Sequence, residues 1–189
     1  MFVEITDRIK EWCSGKNWLW RLFMLLFFAC IGVRYLIDPM YGSVFSGANL
    51  GVHEFGHILL GFDGEFLRIA GGTITQLAAP IICGVMFWRQ PDYFALTLSG
   101  VWLATNLYNI AVYAADAQVL SLPLVSVGGG DAYHDWEYML STMGILGWSA
   151  GIAFIFRLFA FIFMWGSIVA AGLMIRQMII SPGNALHDL

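Results

Sequence analysis

The stretch Ala150–Ile175 constrains this chain most, because it is almost wholly apolar and Arg157 is its only charged residue. As a helix rising 1.5 Å per residue it reaches about 39 Å, enough to cross a hydrocarbon core of roughly 30 Å. Only helices and closed barrels satisfy their backbone polar groups inside lipid. Of 189 residues, 59% are hydrophobic and 12% charged, which excludes a soluble domain. The chain reads as an all-α polytopic membrane protein. A net charge of -4 with scattered basic residues leaves no nucleic-acid footprint.

Taken in order, residues 1–17 form an interfacial amphipathic segment, with Ile5, Ile9 and Trp12 on one face and Arg8, Lys10 and Lys16 beside them. Residues 18–180 form one integral-membrane domain, and 181–189 a tail. Trp18–Ile37 is the first expected span. No small-x-small site follows its apolar core, which argues against a cleaved signal peptide. The basic start favours a cytoplasmic N-terminus. The apolar run Phe45–Phe62 reads as the second span and Thr73–Trp88, with Gln76 and Pro80, as the third. Between them, Asp63–Gly72 is expected to make a short strand or hairpin at the membrane edge, with Gly71-Gly72 as a turn. Tyr93–Ala115 is the fourth span, reached through a tight turn at Arg89–Asp92. A Gly-rich loop (Gly128–Gly130) leads into the polar cluster Asp131–Glu137, and Tyr138–Gly147 is long enough only for a half-helix. Ser149 is placed to cap the last span. Five spans are expected, or six if two helices meet near Arg157. Cys13, Cys30 and Cys83 show no metal-ligand spacing and read as free thiols.

The chemistry is concentrated in Phe45–Phe62, whose ionisable side chains are His53, Glu54 and His57, in the order HEFGH. Four residues apart on a helix, the two histidines share a face. Glu54 sits next to that face, giving the HExxH arrangement of two zinc ligands and a general base. A carboxylate at the centre of a membrane helix costs about 2.5–3.5 kcal/mol to insert, so an idle Glu54 is disfavoured. The bland alternative is a pair of packing histidines with Glu54 snorkelling to the interface.

A catalytic zinc takes three protein ligands and leaves a position for water. His134 and Asp135 are both competent as the third, one as ligand and the other as its hydrogen-bonding partner. Asp135 has a plain rival role as a helix N-cap. Asn109, Tyr113 and Asp116 fall on one face of the fourth span. Asn109, Asp116 and Asp131 are candidates for an outer partner of the metal or for stabilising an oxyanion. Gly128–Asp131 also fits the GxGD pattern of intramembrane aspartyl proteases, with Asp116 as partner, but a short Gly-rich match is common by chance.

HEFGH in a membrane segment, then Gly71-Gly72, an alanine-rich stretch with Pro80, and a downstream Asp motif together resemble the site-2 protease family of intramembrane zinc metalloproteases. The similarity covers about Phe45–Tyr138. It departs from the family downstream, where LPLVSVGGGDAYHDW stands in place of a Leu-Asp-Gly motif, and Ala78–Pro80 reduces the Gly-Pro-x-x-Asn element to Ala-Ala-Pro. This pattern is that of a divergent branch. The resemblance implies zinc-assisted hydrolysis of a peptide bond in a membrane-embedded protein or peptide, with Glu54 activating water and Asn109 or His134 steadying the oxyanion. It also implies that an edge strand within Asp63–Thr75 holds the unwound substrate. The expected setting is the lipid bilayer of a prokaryotic cytoplasmic membrane. The rival function is a non-catalytic membrane metal-binding, scaffold or transport protein that retains HEFGH.

Overall fold

The computed structural model describes residues 2–62, 64–123 and 134–181. All regular structure among them is helical: α1 (Phe2–Cys13), α2 (Leu19–Ile37), α3 (Ser46–Leu59), α4 (Glu65–Arg89), α5 (Tyr93–Asp116), α6 (Asp135–Thr142), a single 3-10 turn (Leu146–Trp148) and α7 (Ser149–Ile180). Four helices, α2, α4, α5 and α7, are long and apolar enough to cross a membrane, as expected of an integral membrane protein.

Contacts at the helix ends fix the order of the layers. The Gly15 N–H donates to the Ser181 carbonyl at 3.4 Å, and Trp12 and Trp88 both lie edge-on to Tyr93. One end of the bundle, the α1 end, therefore gathers α1, the start of α2, the end of α4, the start of α5 and the end of α7. The opposite end gathers the other termini and α6. The central helix is α5, packed by Val101, Ala104 and Tyr108 against Phe28, Ile31 and Tyr35 of α2 and Met164 of α7. Asp92 starts it, its carboxylate accepting from the Ala95 N–H at 3.1 Å.

The HEFGH helix is not a span. It has 14 residues, about 21 Å against a core of roughly 30 Å. Phe45, just before it, stacks on Phe28 midway along α2 at 6.1 Å. At its far end His57 meets Arg68, in the first turn of α4. After α2 the chain thus dips to mid-depth, and α3 climbs back to the end it came from. Irregular backbone at that depth needs internal partners. Ser43 supplies one, its hydroxyl oxygen accepting from the Phe45 N–H at 3.2 Å and from the Tyr35 hydroxyl at 3.1 Å. The count of five or six spans is therefore corrected to four among the described residues.

Two further expectations fail here. The strand or hairpin after HEFGH is instead the first turns of α4, which runs on through Pro80. A helix satisfies its own backbone in lipid, whereas an isolated hairpin leaves edges open. Gly71 and Gly72 form no turn; they lie inside α4, where Gly56 of α3 crosses so closely that a Cβ on Gly71 would come within 2.5 Å of the Gly56 carbonyl oxygen. Ser149 does not cap α7. It is the first residue of that helix, and its hydroxyl accepts from the Gln118 amide at 2.6 Å.

The half-helix after the polar cluster is present as α6, of 8 residues. It stops at Gly144 (φ 71°), where the Gly144 N–H donates to Ser141 and the Ile145 N–H to Leu140, a glycine-terminated helix end. Trp136, Met139 and Leu140 wedge α6 between Ile69 and Ala70 of α4, Ile110 and Ala114 of α5 and Ala153 of α7. That wedge fixes the direction in which Asp135 points.

Candidate metal centre

His53 lies on the buried side of α3 and His57 one turn on, half-buried. Their rings sit edge to face with centroids 4.7 Å apart. From α6, the Asp135 Oδ2 comes to 2.8 Å from His53 Nε2 and 3.3 Å from His57 Nε2. One ligand atom from each of the three lies within 4.8 Å of the others, so His53, His57 and Asp135 could hold a metal ion.

The hydrogen bonds on the far sides of the rings test that fit. His57 Nδ1 lies 2.9 Å from the Arg68 carbonyl oxygen and His53 Nδ1 lies 3.0 Å from Gln76 Oε1. A carbonyl oxygen only accepts, so both Nδ1 atoms are the donors, and in the neutral rings each Nε2 carries a lone pair. Those lone pairs converge on a carboxylate, which also only accepts. Three electron-pair donors facing one point require a cation or protons between them. Metal–ligand bonds of about 2.0–2.2 Å in a tetrahedron set ligand atoms about 3.3–3.6 Å apart; the His57–Asp135 separation of 3.3 Å matches this, and the His53–Asp135 separation of 2.8 Å is shorter. The Nδ1 partners match the carbonyl and carboxylate contacts that orient metal-bound histidines elsewhere.

Local helix geometry separates His134 from Asp135. His134 takes the N-cap position of α6, its Nδ1 accepting from the Glu137 N–H at 3.1 Å. The capping role considered for Asp135 thus belongs to its neighbour. Asp135, as the first helical residue, is free to face the histidines. Its backbone N–H donates to the Tyr113 hydroxyl oxygen at 3.2 Å, and the Tyr113 ring lies 4.2 Å from that of His134. His134 Nε2 is 3.4 Å from Asp116 Oδ2, and His134 is not part of the converging group.

The remaining candidates fall elsewhere. Asp116 ties the chain after α5, accepting from the N–H and hydroxyl of Ser121 and the N–H of Leu122. Asn109 accepts from the Asn49 amide at 2.7 Å and so links α5 to α3. Asp131, and with it the Gly128–Asp131 motif, lies outside the described residues. Glu54 is half-buried beside His53, and among the described residues its carboxylate has no hydrogen-bond partner.

Three supporting residues were not assigned to the site from sequence. Asn49 precedes His53 by one helical turn. Its amide donates to Thr105 and Asn109, and its oxygen accepts from Trp102 Nε1 at 2.9 Å, pinning α3 to α5. The i, i+4, i+8 series Asn49–His53–His57 was the available signal. Gln76, an amide in an otherwise apolar segment, orients His53. Gly72 supplies the floor: a Cβ there would lie 2.6 Å from His53 Nε2 and 2.7 Å from His57 Nε2.

Comparison with protein-family profiles, curated proteins and solved structures finds no match to this chain.

Proposed function

We propose that this protein is an intramembrane zinc metalloprotease that hydrolyses a peptide bond of a membrane-embedded protein or peptide. The observation that carries the reading is the convergence of Asp135 on His53 and His57, with Glu54 unpartnered beside them. Two imidazoles and one carboxylate are a common ligand set of hydrolytic zinc, and they leave a coordination position open. Zinc bound there supplies a water acidified to a pKa of about 7 and a polarised scissile carbonyl. The chain's own groups do the rest. Gln76 and the Arg68 carbonyl hold the imidazoles in the ligating tautomer. The Glu54 carboxylate accepts the proton of the attacking water and delivers it to the leaving amide nitrogen.

The resemblance to the site-2 protease family supports the same reading, as does the position of HEFGH in a segment that dips into the bilayer. The membrane is taken to be a prokaryotic cytoplasmic membrane, with the N-terminus on the cytoplasmic side. Substrate contact by strand addition is dropped, since the segment invoked for it is helical. Glu54→Gln tests the reading in detergent or in vesicles. Hydrolysis of a membrane-embedded reporter segment is expected to vanish while bound zinc stays at the parent level. Undiminished hydrolysis in that variant overturns the protease assignment.

A further inference from the structure

The metal centre is not at the middle of the bundle, and its position has a side. Tyr113 lies within one turn of the end of α5, Arg68 within one turn of the start of α4, and Asp135 opens α6. All three belong to the end opposite α1. Exposure rises in the same direction, from the His53 side chain at 9% to that of His57 at 20%, and then to the exposed Gly61 and Phe62. The less covered side of the ligands therefore faces that end.

The basic residues divide unequally between the two ends. Arg8, Lys10, Lys16, Arg21, Arg89 and Arg176 lie at or towards the α1 end, and Arg34, Arg68 and Arg157 towards the other. Sequence order hides this, because Arg89 and Arg176 join the N-terminal group only through the fold. Arg21 is also anchored in an aromatic nest, its guanidinium 4.3 Å from the Trp20 ring and 5.5 Å from that of Phe94, a setting suited to the interface. Acidic residues fall at both ends, Asp38, Glu65, Asp116 and Glu137 at the metal end and Glu4, Asp7, Glu11 and Asp92 at the α1 end. Lys and Arg near span ends set orientation and favour the cytoplasm, whereas acidic residues contribute little.

Resting on the membrane-embedded metal centre proposed above, we infer that the site opens to the extracytoplasmic side. It takes its ion and its water from there and acts on substrate segments near the outer boundary of the bilayer. A substrate cut here has its scissile bond in the extracytoplasmic half of its own span.

Single reporter thiols test this directly in intact cells, in a background where Cys13, Cys30 and Cys83 are replaced by Ala. Phe62→Cys and Val119→Cys place exposed reporters at the metal end, and Gln90→Cys places one at the α1 end. An impermeant maleimide is expected to label the first two in sealed cells as fully as after permeabilisation, and the third only after permeabilisation. The reverse pattern overturns the inference. On right-side-out vesicles of the parent protein loaded with zinc, an impermeant chelator is expected to strip the ion, and retention until lysis would count against it. The thiol readout needs neither metal nor hydrolysis, so a failed protease assignment and a failed orientation give different results.

Discussion

The floor of the proposed metal centre makes Gly72→Ala the most informative small change. The added methyl would stand 2.6 Å from His53 Nε2 and 2.7 Å from His57 Nε2, where ordinary contact begins at 3.4 Å. Relief requires the two imidazoles to retreat by about 0.7–0.8 Å, yet metal–ligand bonds tolerate only about ±0.2 Å. The rings cannot swing freely, since Gln76 and Arg68 hold their Nδ1 atoms. Overpacking of this kind costs about 1–3 kcal/mol of stability. The metal suffers more: disturbing even one orienting contact weakens binding about 10–100-fold, and here two ligands move, so a loss at or above the top of that range is expected. Gly84→Ala on the same helix is the control, because its methyl meets Leu96 at an ordinary 3.5 Å. Metal content after equilibrium dialysis against graded chelator, with thermal unfolding followed in parallel, reads both effects. Parent-level metal affinity in Gly72→Ala would refute the placement of the histidines against α4.

Removing the amide that orients His53, as Gln76→Ala, is expected to lower metal affinity about 10–100-fold with the helical content unchanged; competition with a chromogenic chelator measures it. Asn49→Ala strips partners from Trp102, Thr105 and Asn109 and is expected to destabilise the fold by about 1–3 kcal/mol, seen as a lower unfolding midpoint in detergent. A stability equal to the parent would show that the α3–α5 clasp contributes nothing.

The two histidines and the acid between them were legible because helical period alone puts them together. Asp135 was legible only as one of a pair, since His134 and Asp135 are adjacent and chemically equivalent candidates. What separates them is which one occupies the N-cap, and that depends on how Trp136, Met139 and Leu140 wedge α6 into the bundle. The four long spans followed from apolar length. The dip before α3 did not, because Phe45–Phe62 has the length and polarity of a span and only the Phe45–Phe28 and Asn49–Thr105 contacts reveal that it turns back. Gly71-Gly72 misled for a related reason. Glycine pairs mark turns in water, but inside lipid the same absence of side chains lets two helices approach closely.

The central claim is that one cation is held by His53, His57 and Asp135, and elemental analysis of the purified protein tests it most directly. One equivalent of metal per chain is predicted for the parent and for His134→Ala, with loss of the ion in Asp135→Ala and in a variant lacking both His53 and His57. A metal-free parent after zinc loading, or an ion that survives Asp135→Ala and disappears with His134→Ala, would contradict it.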